Sequence, residues 1–85
     1  MLVKIKYWID YYAKPGYPDD RAVQDYMICE HSEAISSFRG ELVGIKEGYF
    51  KEDTLKTILG VKREARYGSY QEWAKMMLMW MAAAK

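Results

Sequence analysis

The segment "WAKMMLMWMAAA", Trp73 to Ala84, holds a single residue that is not apolar, Lys75. In a chain of 85 residues this run governs the fold, because most of it must be covered. After Lys75 only Met76 to Ala84 remains, far short of the ~20 residues of a membrane-spanning helix. At ~100° per residue, Tyr70, Trp73, Met76, Met77, Trp80, Met81 and Ala84 share one broad side. Gln71, Lys75 and Ala82 mark the opposite side, with Glu72 near its edge. Leu78 and Met79 flank this narrow polar stripe, where a surface helix normally carries charge. Ser69 with Glu72 three residues on predicts a capping box that opens the helix.

The rest of the chain must supply what this helix packs on. Residues 2–12 predict a strand, with Val3, Ile5, Tyr7, Ile9 and Tyr11 on one face and Lys4, Lys6 and Asp10 on the other. "AKPGYPDD" is a loop, and its Pro-Gly step has type II turn chemistry. A single helix from Ala22 to Phe38 would scatter its apolar residues around the circumference. Residues 23–30 are therefore expected to form a second strand, paired with the first. Ser32 is expected to cap a short helix stopped by Gly40. Leu42, Val43 and Ile45, interrupted by Gly44 and Gly48, predict a third strand. Asp53 or Thr54 opens a short helix ended by Gly60, and "VKREARYG" reads as a strand or extended linker. The expected fold is α+β: a small two-layer domain with a ββαβ-like core over 1–50. A helical extension over 51–85 packs on that core.

At this length a chain buries only about 60–65% of its unfolded surface, so association is a common supplement to the core. Cys29 is the only cysteine, which rules out an internal disulfide and fits a reducing, cytoplasmic setting. "MLVKIKYWID" lacks the continuous apolar core of a signal peptide. The net charge of +1 provides no global field for nucleic acid or a membrane surface.

Candidate chemistry is sparse. Cys29 and His31 would share a strand face, as a metal or thiol–imidazole pair does, but no other Cys or His completes a site. The acid pairs Asp19-Asp20 and Glu52-Asp53 sit at loop ends, where acids cap helices. Neither GxxxxGK nor GxGxxG occurs. No catalytic, cofactor or metal residue is therefore assigned, and neither a small-molecule substrate nor a membrane is expected as a partner. Two surfaces remain. The basic, aromatic stretch 56–70 offers Lys56, Lys62, Arg63, Arg66 and Tyr67 to phosphates and unpaired bases. Its helix–glycine–basic order resembles a helix-turn-helix, although Glu64 lies within it and no apolar stripe follows Gly60. The other surface combines Trp8, Tyr12 and Tyr17 with Met76, Leu78, Met79 and Trp80, residue types that anchor protein interfaces. The expected function is a non-catalytic protein–protein interaction module, a regulator, adaptor or inhibitor that self-associates through its C-terminal helix. The alternative is nucleic-acid binding through 56–70.

Overall fold

The computed structural model describes residues 2–84, and among these there are six helices and no strand. They are α1 (Val3–Tyr11), α2 (Asp19–Cys29), α3 (Ser32–Lys46), α4 (Glu52–Leu59), α5 (Val61–Tyr67) and α6 (Tyr70–Ala83). The expected α+β fold, with its hairpin and third strand, is therefore incorrect. The error is one of periodicity. In α1 the residues turned inward are Ile5 and Trp8, with Ile9 and Tyr12 half-buried beside them, while Val3, Tyr7 and Tyr11 are exposed. That is helical spacing. The alternation of Val3, Ile5, Tyr7, Ile9 and Tyr11 coexists with it and has no structural consequence.

The segment expected as a second strand is α2, whose buried residues are Asp19, Ala22, Val23 and Tyr26. Two helices replace the single continuous one that the scattered apolar residues argue against. They meet at Glu30 and His31, both in extended backbone (ψ 159° and 161°). The break re-phases the apolar stripe. His31, not Ser32, holds the N-cap position of α3. Gly40 does not stop this helix; it continues through Gly44 to Lys46. Phe38, Leu42 and Ile45 are fully buried at i, i+4 and i+7, and their burial outweighs the ~1 kcal/mol that each glycine costs a helix.

Residues 61–67, expected to be extended, form α5, joined to α4 by Gly60 alone. Gly60 has φ 86°, a conformation L-residues rarely adopt, which lets the chain turn in one residue. At the start of α6 the Ser69 hydroxyl accepts from Glu72 N–H at 3.1 Å. The other half of the capping box is replaced: the Glu72 carboxylate accepts from Lys75 Nζ at 3.0 Å.

α6 is the centre of the molecule. It packs mainly on α3, then on α2 and α5, and buries Tyr70, Trp73, Ala74, Met77 and Met81. One core cluster runs from Ile5 to Met81 and takes in α6. The apolar segment that ends the sequence is covered largely by its own chain. No helix among the described residues is long and apolar enough to cross a membrane.

Candidate functional site

Local packing first determines which polar groups are committed to the fold. Asp19 opens α2 on its buried stripe and is 4% exposed. Arg63 of α5 grips it with two parallel bonds, Nε to Oδ2 at 2.9 Å and Nη2 to Oδ1 at 2.8 Å. Trp73 Nε1 of α6 donates to Oδ2 at 3.0 Å, and the Tyr67 hydroxyl donates at 3.4 Å. A buried carboxylate is tolerated only when its lone pairs are taken up in this way. Arg63 also donates to Leu59 O at 3.0 Å and lies 5.8 Å from the Trp8 ring centroid. Three helices are thus tied to one side chain. Burial and the Asp19 charge raise the Tyr67 pKa above its ordinary value, opposed by the adjacent Arg66. A second such tie starts α1: the Glu41 carboxylate of α3 accepts from the backbone N–H groups of Lys4 and Ile5 at 3.0 and 2.9 Å.

These ties redistribute the residues singled out in the sequence. Arg63 and Tyr67 belong to the Asp19 network and hold the fold, while Lys56, Lys62 and Arg66 are exposed. Trp8, expected on an exposed face, is fully buried against Phe38 and Trp73. Tyr12 is half-buried and donates to Glu30 at 2.5 Å; burial and then that carboxylate push its pKa well above the tyrosine range. Tyr17 is exposed and donates to Asp25 at 2.6 Å, and that hydrogen bond is the main reason its pKa is raised. On α6, Met76 is half-buried. Leu78 and Trp80 pack against the core, and Met79 remains 57% exposed. Cys29 and His31 are both exposed. Among the described residues no group of three or more His, Cys, Asp and Glu could hold a metal.

Two grooves remain. The first, about 680 Å³, runs between α1 and α4 and is lined also by the α3–α4 connection. Leu2, Val3, Tyr49, Phe50 and Ile58 make it apolar; Lys6, Lys51 and Thr54 also line it, and the lining among the described residues contains no carboxylate. Val3 and Tyr49 are 65% and 81% exposed, so these apolar side chains are not buried by their own fold. Val3 and Lys6 lie one turn apart on α1, as do Thr54 and Ile58 on α4, so each helix presents one edge to the groove. The second groove, about 890 Å³, lies between the α1–α2 loop and α5. It brings Lys62, Arg63 and Arg66 together with Lys14 and Tyr17, and does not include Lys56.

Sequence reasoning missed Asp19 and the first groove. Asp19 had a signal: it extends the stripe of Ala22, Val23 and Tyr26 backward by one turn, which marks it as an inward-facing acid. Leu2, Tyr49 and Phe50 had none, since the groove joins segments more than 40 residues apart in sequence. Comparison with protein-family models, with curated proteins and with solved structures returns no match to this chain.

Proposed function

We propose that the chain is a non-catalytic protein-interaction module that seats an apolar, acidic segment of a partner protein between α1 and α4. The observation that carries this is the lining of that groove: exposed apolar side chains flanked by Lys6 and Lys51, with no carboxylate among the described residues. Apolar surface left open in a small domain favours a partner, and the two lysines select carboxylates beside the partner's apolar anchors. A groove of this volume falls within the ~300–1,000 Å³ typical of ligand sites. Of the expected interface residues on α6, Leu78 and Trp80 pack half-buried against the core, Met76 is half-buried, and Met79 is exposed. For that reason the docking surface is assigned to α1 and α4.

Selection from a random displayed-peptide library tests the assignment. Selected peptides should carry paired apolar anchors flanked by Asp or Glu. Their affinity should fall about tenfold or more on Val3→Glu or on Lys6→Glu with Lys51→Glu. All three positions lie at the surface, and unchanged thermal melts verify the fold. Basic peptides, or peptides that bind Val3→Glu as well as the parent protein, would overturn the proposal. A dimer by light scattering that Val3→Glu dissociates would replace the partner segment with a second copy of the chain.

A further inference from the structure

The second groove is built differently. One wall is α5, where Lys62 and Arg66 stand at i and i+4 and so face the same way. The other wall is the α1–α2 loop, with Lys14, Pro15, Gly16 and Tyr17. Ile9, Ala13, Leu59 and Val61 supply apolar surface in the lining. Its charged lining residues are Lys14, Lys62, Arg63 and Arg66 against Asp10 and Asp19. Asp19 is already neutralised by Arg63, which leaves Asp10 facing three cations. Lys14, Lys62 and Arg66 pair with no carboxylate among the described residues. Arg63 uses three of its guanidinium N–H donors on Asp19 and Leu59. A guanidinium has five, so two stay free on a side chain that the Asp19 grip holds rigid. The Tyr17 ring is likewise held at the groove by its bond to Asp25.

We infer that this groove binds a small phosphorylated ligand with a flat ring, of the nucleoside di- or triphosphate class. The phosphates lie between Lys14 and the Lys62–Arg66 face, within reach of the free Arg63 donors. The ring rests on Tyr17 and the apolar surface. Convergent cations from two walls suit a compact polyanion, and charge-assisted bonds to phosphate are the strong kind. An extended nucleic-acid strand needs a longer basic track, and Lys56 lies outside this lining. The inference is independent of the α1–α4 groove and extends to a class of ligand that the composition gave no reason to expect.

Calorimetric titration of the full chain with ATP, inorganic tripolyphosphate, adenosine and a single-stranded oligonucleotide tests it. ATP should bind at one saturable site, about tenfold or more tighter than tripolyphosphate or adenosine. Lys62→Ala with Arg66→Ala should weaken ATP by about tenfold or more. Tyr17→Leu should abolish the advantage of ATP over tripolyphosphate. All three positions are exposed, and unchanged thermal melts establish that the variants fold. Failure of ATP to saturate by about 10 mM, far weaker than typical ligand affinities, overturns the inference. So does equal binding of tripolyphosphate, or a double variant that binds like the parent. An oligonucleotide that displaces ATP at concentrations below those at which ATP binds replaces the small ligand with a nucleic-acid strand.

Discussion

Trp8 and Trp73 lie with ring centroids 6.1 Å apart, and both are fully buried. Their indole N–H groups differ. Trp73 donates to Asp19, whereas Trp8 Nε1 has no hydrogen-bond partner among the described residues. Replacing either by Phe removes similar volume, so the difference between the two reports the polar part. Trp73→Phe strips a bond from a buried carboxylate, and Trp8→Phe removes an unpaired buried donor. Trp73→Phe should therefore be the more destabilising, by about 1–3 kcal/mol, in urea unfolding. Equal losses would mean that Asp19 is fully satisfied by Arg63. At this scale the sequence was partly legible. The apolar character of Trp73, Met77 and Trp80 was readable, and so was the surface position of Met79. The burial of Trp8 was not, because an assumed strand parity placed it outside. The Asp19 network was not, because its donors lie 44 to 54 residues away.

Among the elements, α1 shows why the fold class was misread. Its sequence fits both a period of two and a period of 3.6, and only packing decides between them. A helix satisfies its backbone hydrogen bonds within itself, whereas a strand needs a paired neighbour. The segment expected to pair with it, 23–30, and the expected third strand, 42–45, fall in helices with stripes of their own: Ala22, Val23 and Tyr26, and Phe38, Leu42 and Ile45. α6 was legible because it has a start signal, core spacing and no competing period; α4 was legible from its core spacing alone, since it begins at Glu52 behind Lys51 and not at Asp53 or Thr54. α3 was cut short by reading Gly40 as a stop. Neither Gly40 nor Gly44 has φ > 0, and a Cβ added at either meets nothing within 4 Å. Gly40→Ala and Gly44→Ala should each stabilise the protein by about 0.5–1 kcal/mol, read as a rise in urea midpoint with unchanged slope.

Across the whole molecule, tyrosines set the alkaline limit. Burial, with the charges of Glu30 and Glu41, raises Tyr26 from the ordinary 10.0 to about 12. Tyr7, Tyr12, Tyr17, Tyr67 and Tyr70 shift the same way. A pKa raised on folding means that the folded state holds the proton more tightly than the unfolded chain. The stability so gained is full below pH 10 and is lost as pH climbs through the folded values. Urea midpoints should fall from about pH 10 to pH 12, alongside late tyrosinate absorbance. A flat profile across that window would contradict these environments. The two grooves lie on surfaces that the α6-centred core leaves open, and neither depends on a strand edge. α5 has no fully buried residue, and the Arg63 and Tyr67 bonds to Asp19 tie it down. It can therefore unfold locally at lower cost than the core around α6. The groove it walls then exists only while α5 is docked. A ligand bridging α5 to the α1–α2 loop would act as a clasp, drawing the chain toward its fully ordered state as ligand concentration rises.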